Sequence, residues 1–207
     1  MDHSADSAFN VLWLQSGGCG GCTLSLLCAE SPDLFSALEG AGIQFLWHPS
    51  FSEATGEEAV ALLEAVASGE RRLDALCVEG SLLRGPNGTG GFHVLAGTGV
   101  PMIHWVQRLA AVARHTVAVG TCAAFGGITS GGPNPTDACG LQYEGEQSGG
   151  LLGPDYRAAG GLPVVNVAGC PTHPDWVLET LLGLAWDGAV PGGLDEYARP
   201  RFYTDHL

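Results

Sequence analysis

Short apolar runs alternate with stretches of helical period along nearly the whole chain, and that alternation leaves few folds open. Residues 9–15, 43–47, 73–79, 116–120 and 163–168 read as strands. Between them, residues 23–29 fit a helix, and Ala59, Leu62, Leu63 and Val66 share one helical face. Ile103, Val106, Ala110 and Ala113 share another. Thr55-Gly56-Glu57-Glu58 has the form of a capping box ahead of the first of these faces. Residues 174–186 read as a helix with proline in its first turn and Val177, Leu181, Leu184 and Ala185 inward. Strands alternating with helices build a parallel sheet wound on both faces, so the expected fold class is α/β and doubly wound. Residues 80–91 read as a loop. Residues 126–161, rich in Gly, Pro, Asn and Asp, are long for a plain loop and read as an irregular ordered insertion at a functional or contact surface.

At 207 residues the chain is long enough for one domain with its own core. Only 14% of its residues are charged, against about 25% in a free-standing globular protein, which points to a surface covered by a partner. The eight cations are all arginine, and the net charge is −14. That balance, with no basic stripe, argues against nucleic acid and against anionic membrane surfaces. The apolar runs are too short to span a bilayer. The start, Met1-Asp2-His3-Ser4-Ala5-Asp6, has no cationic or apolar region of an export signal, so the expected location is cytoplasmic.

The cysteines carry the chemistry. Cys19 and Cys22 follow the first strand, Cys122 the fourth and Cys170 the fifth. In a sheet of this kind ligands bind beyond the carboxyl ends of the strands, so these four thiols converge on one edge. Each sits among small residues, which lets backbone amides approach thiolate and sulfide. The set could hold an iron–sulfur cluster or zinc, or consist of ordinary thiols; a single CxxC pair fits zinc knuckles poorly. Cys77, inside an apolar run, reads as a buried inert thiol, and Cys28 as a core residue on the first helix. Cys139 lies in the irregular insertion, where a structural role outweighs that of an extra ligand.

At these residues the chain resembles the small subunit of nickel–iron hydrogenases. The matching segments are Leu12-Trp13-Leu14-Gln15 with Cys19-Gly20-Gly21-Cys22, Val78-Glu79-Gly80-Ser81, Gly120-Thr121-Cys122-Ala123, and Gly169-Cys170-Pro171-Thr172-His173-Pro174-Asp175-Trp176. The resemblance implies a single flavodoxin-like domain over residues 1–207 in which Cys19, Cys22, Cys122 and Cys170 hold one proximal [4Fe-4S] cluster. It implies an obligate heterodimer with a large subunit that carries the nickel–iron centre, where hydrogen is split. Electrons then leave through the cluster toward an acceptor protein. The alternative is the iron–sulfur subunit of a quinone-reductase-like complex. That family's first two cysteines are adjacent, whereas two residues separate Cys19 from Cys22.

Family members often carry a glutamate before the first cysteine, where this chain has Gly18. Oxygen-tolerant members replace two nearby glycines by cysteines; here Gly21 and Gly127 stand at those places, which implies an ordinary cubane. Typical members continue into a further cluster-binding domain, and with no cysteine after Cys170 that domain is expected to be absent. Residues 83–90 and 134–137 resemble cytoplasmic hydrogen-sensing members that signal to a histidine kinase. Glu79 reads equally as a turn cap or as an orienting group near the cluster, and His173 as a helix-start residue or a neighbour of the cluster. The remaining histidines, His48, His93, His104, His115 and His206, read as structural or surface residues. The glycine-rich residues 85–91 lack a P-loop lysine and read as a subunit contact.

Overall fold

The computed structural model describes residues 8–206. The acidic start read for an export signal, and the terminal Leu207, lie outside the described residues. The main strands are β1 (Phe9–Gln15), β2 (Ile43–Trp47), β3 (Ala75–Glu79), β5 (His115–Val119) and β9 (Val165–Val167). They form one five-stranded sheet in the order β2-β1-β3-β5-β9, every pair parallel. The expected doubly wound, flavodoxin-like order is therefore present. The chain runs outward from β1 to β2 and then crosses back to β3, so the switch point lies between β1 and β3.

Period two along the strands assigns the two faces. Val11 and Trp13 pack with Cys77, Val117 and Val167 on one side, covered by α1 (Gly21–Leu26), α2 (Leu34–Gly40) and α6 (Pro174–Asp187). Leu12 and Leu14 pack with Leu76 and Val78 on the other, covered by α3 (Gly56–Ala67) and α4 (Met102–Val112). Each fully buried leucine contributes roughly 1.5–3 kcal/mol relative to exposure. The sheet is thus buried on both faces, as the apolar strands require.

Several boundaries differ from the sequence reading. α1 begins at Gly21 and ends at Leu26, so Cys28 falls beyond the helix and is exposed, not in the core. β3 begins at Ala75, two residues later than the sequence reading, and the Asp74 carboxylate just before it accepts the Asn10 N–H and the Arg72 guanidinium. Thr55 does cap α3, but its side chain makes no capping bond, so the capping box is not formed. The expected fourth strand ends at Val119, and Gly120 opens α5 (Gly120–Phe125), a helix that the small residues there conceal. The fifth strand is Val165–Val167, shorter than residues 163–168. Residues 80–91 are not all loop. β4 (Leu82–Leu83) pairs antiparallel with β6 (Ala138–Cys139), which anchors the insertion to the sheet edge. Arg84 ties the same two segments through Asp137, at 2.7 Å, and Glu144, at 2.5 Å. The insertion also holds the β7–β8 hairpin (Tyr143–Glu144 and Gln147–Ser148), and α7 (Arg201–Thr204) follows α6. No helix among the described residues is long and apolar enough to cross a membrane.

His48 and His115 are buried structural residues, and His48 stacks on Phe51 with ring centroids 3.8 Å apart. Burial pushes both imidazoles down to about 4, with Arg114 adding to the effect at His115. The unfolded chain takes up these protons near the ordinary histidine value of about 6.5, and the folded chain does not. Stability is therefore retained above about pH 6.5 and lost as the pH falls toward about 4. The thermal midpoint should drop across that window, and the double variant His48→Phe, His115→Phe should show a shallower drop. An equally steep drop in the variant would contradict this assignment.

Candidate metal centre

The four cysteines singled out above meet at the carboxyl edge of the sheet. Cys19 lies on the turn after β1, Cys22 is the second residue of α1, Cys122 the third of α5, and Cys170 follows β9. Together with Gly18 and Glu79 they line one cavity of about 80 Å³. Cys19 and Cys170 are exposed, while Cys22 and Cys122 are partly buried. A wider recess of about 400 Å³ adjoins it, sharing Cys122 and Cys170 and walled by Phe125 and Ile128. Ile128 is 82% exposed, so the recess has an apolar, open rim. Sequence reasoning missed these two side chains, because the segment around them shows no period.

The donor set is sulfur only. Among the described residues, no three His, Cys, Asp or Glu side chains stand close enough together to share a single metal ion. Burial pushes the Cys22 thiol up to about 11, and the Glu79 carboxylate and the other thiols add to it, while the Thr172 N–H works in the opposite direction. Burial also raises Cys122, with Cys170 adding and the Ile128 N–H opposing. Crowded thiols of this kind become thiolates when a cationic centre takes them as ligands. The space around them is kept open by glycine. A Cβ at Gly21 would sit 3.1 Å from Cys19 Sγ, and one at Gly127 would sit 2.6 Å from Cys122 Sγ.

The remaining candidates separate cleanly. Cys77 is fully buried in β3, on the α1 face, and burial raises its thiol strongly. Cys139 is buried in the opposite half of the core, with Sγ 3.7 Å from the Leu82 carbonyl, away from the four-cysteine cavity. His173 is the N-cap of α6, its Nδ1 accepting the Asp175 N–H at 3.3 Å, which is the helix-start reading. Glu79 is 3% exposed and turns its carboxylate toward the start of α1. Of its partners, Trp13 and Gln15 stand in a segment that carries the resemblance but were given no role, and Thr23 was not singled out; Gln15, polar at the end of an apolar strand, carried a signal.

Comparison with known proteins adds the relatives of this arrangement. A family model described as NADH ubiquinone oxidoreductase, 20 kDa subunit, matches residues 19–184. The chain belongs to this family. The relatives it matches are hydrogenase small subunits, as the cysteine-bearing motifs led us to expect. The periplasmic [NiFeSe] hydrogenase small subunit of Desulfomicrobium baculatum is 33% identical, over 95% of this chain and 63% of the relative. Among solved structures, the actinobacterial-type NiFe-hydrogenase from Ralstonia eutropha superposes with a TM-score of 0.79 at 31% identity, covering 95% of this chain and 59% of that one. The reduced, active Ni-Fe-Se hydrogenase from Desulfomicrobium baculatum gives 0.78 at 30% identity, covering 94% and 70%. The chain spans about half to two thirds of the length of the curated relatives it matches.

Proposed function

We propose that the chain is the electron-transferring small subunit of a nickel–iron hydrogenase, with Cys19, Cys22, Cys122 and Cys170 as ligands of one [4Fe-4S] cluster. The observation that carries this reading is the meeting of four thiols from three separate chain segments at one small cavity. The presence of a single CxxC pair supports a cluster over zinc knuckles. When bound, such a cluster supplies a one-electron carrier. The chain's own residues do the rest. β1, β5 and β9 fix the origins of the ligand segments, and the glycines leave room for sulfide. The backbone N–H groups of Thr172 and Ile128 favour the thiolate forms of Cys22 and Cys122.

The large subunit with its nickel–iron centre is the proposed partner, and the open rim at Phe125 and Ile128 supports its seating beside Cys122 and Cys170. The same pair serving as a hydrogen sensor is a finer form of this reading, supported by the likeness of residues 83–90 and 134–137 to sensing members. A quinone-reductase-like role is favoured by the description of the matching family model, and the CxxC spacing stands against it. The test is hydrogen-dependent reduction of an artificial acceptor by the chain co-purified with its large subunit. We expect reduction by the pair and none by the chain alone. A pair that holds its cluster, fails to respond to hydrogen and reduces a quinone analogue would overturn the hydrogenase reading. Rapid turnover without binding to a histidine kinase would favour enzyme over sensor.

A further inference from the structure

We infer that Glu79 is a positioning residue for the proposed cluster, fixing the segment that carries Cys22 and placing a negative charge beside it; this rests on the four-cysteine reading above. Period two puts Cys77 and Glu79 on the face of the sheet that α1 covers, and Trp13 and Gln15 on the same face of the neighbouring strand. The carboxylate is there the focus of five donors. Oε1 accepts the backbone N–H of Cys22 at 3.0 Å and of Thr23 at 3.2 Å. Oε2 accepts the Thr23 hydroxyl at 2.5 Å, the Gln15 amide at 3.1 Å and the Trp13 indole N–H at 3.3 Å.

α1 cannot supply this cap itself. Its N-cap is Gly20, with φ +74° and no side chain to accept a hydrogen bond. That left-handed backbone is strained for residues with a side chain, so the orphan N–H groups of the first turn need an acceptor from elsewhere. Glu79, 57 positions away, is that acceptor, and one of the N–H groups it holds belongs to the ligand Cys22.

An amide could keep one oxygen for the Cys22 and Thr23 N–H groups, but it would turn an NH2 toward the Thr23, Gln15 and Trp13 donors. Burying a carboxylate is costly unless its hydrogen bonds are fully made. Here five donors meet that requirement, and among the described residues no cation pairs with Glu79. The charge therefore stays uncompensated beside the cavity. A fixed negative charge next to a redox centre disfavours its reduced, more negative form. Glu79 has two separable effects, its reach on the Cys22 segment and its charge on the potential.

Two variants divide them. Glu79→Gln keeps the length and one oxygen for the Cys22 and Thr23 N–H groups while it removes the charge and the Oε2 acceptor, and Glu79→Asp keeps the charge and shortens the reach. In the complex purified with its large subunit, potentiometric titration followed by electron paramagnetic resonance should show Glu79→Gln easier to reduce. At a fixed ambient potential the ratio of reduced to oxidised cluster should rise about tenfold, equivalent to ~59 mV for a one-electron couple. Glu79→Asp should keep a potential close to that of the wild type but lose iron to a chelator several-fold faster. Should Glu79→Gln fail to assemble, the Asp variant alone decides, and wild-type chelator kinetics there would overturn the inference. Unchanged potential in Glu79→Gln would overturn the charge effect even if iron were lost, since a purely structural residue predicts that pattern. A wild-type complex without iron and sulfide would overturn the cluster reading and this inference with it; a wild-type cluster that neither variant alters would overturn the inference alone.

Discussion

Cys122→Ala and Cys170→Ala should each give a folded chain that retains no intact cluster and passes no electrons from hydrogen to an acceptor. Each thiol lines the four-cysteine cavity, Cys122 from α5 and Cys170 from the loop after β9, and each is the only cysteine of its segment, so no neighbouring cysteine can take its place. Cys28 is exposed beyond α1, and Cys77 and Cys139 are held in the core. Cys77→Ala removes one buried sulfur from β3 and should cost about 1 kcal/mol of stability while leaving iron content unchanged. Cys139→Ala should behave alike. Iron and sulfide determination on the four variants, beside urea unfolding, checks the division. Loss of the cluster in Cys77→Ala together with its retention in Cys170→Ala would show the site to be misassigned.

Gly120→Ala should abolish cluster binding through steric obstruction alone. Gly120 sits at φ +85°, and an added Cβ would stand 2.4 Å from Cys22 Sγ and 3.4 Å from the Gly169 carbonyl. The left-handed conformation costs an alanine roughly 1–2 kcal/mol, which a domain of this size can absorb. The contact with sulfur is the larger effect. A free thiol can rotate away from the new methyl group, but a thiolate fixed to iron cannot. The variant should therefore unfold only slightly earlier than the wild type and yet purify with little or no iron. Full iron content in Gly120→Ala would contradict the placement of Cys22 Sγ as a ligand atom.

How far the sequence could be read follows from which interactions are local. β1 and β2 are mostly apolar, with Asn10, Gln15 and Gln44 as their polar residues, and their bounds agree with the sequence reading. The carboxyl ends of the strands carry Cys19, Cys22, Cys122 and Cys170, so their convergence was legible from topology alone. α2 was not foreseen. Its seven residues are too few for a clear period, and its Asp33 cap is the only local sign of it. α5 is hidden because Gly120, Thr121, Cys122, Ala123 and Ala124 offer no amphipathic face. The pairing of β4 with β6 joins segments more than 50 residues apart through two residues each, and no composition reveals that. Cys28 was misplaced because helical period was extended past Leu26, where the chain turns. The capping of α1 by Glu79 was illegible for the same reason as β4–β6: donor and acceptor are brought together only when β1, β3 and α1 pack.

The most direct measurement is quantitative iron, zinc and acid-labile sulfide analysis, with visible absorption, of the 207-residue chain isolated anaerobically with its partner. About four iron and about four sulfide per chain, with thiolate-to-iron absorption that bleaches on reduction, is the expected result. One zinc per chain, or neither metal nor sulfide, would contradict the assignment of Cys19, Cys22, Cys122 and Cys170 to an electron-carrying cluster.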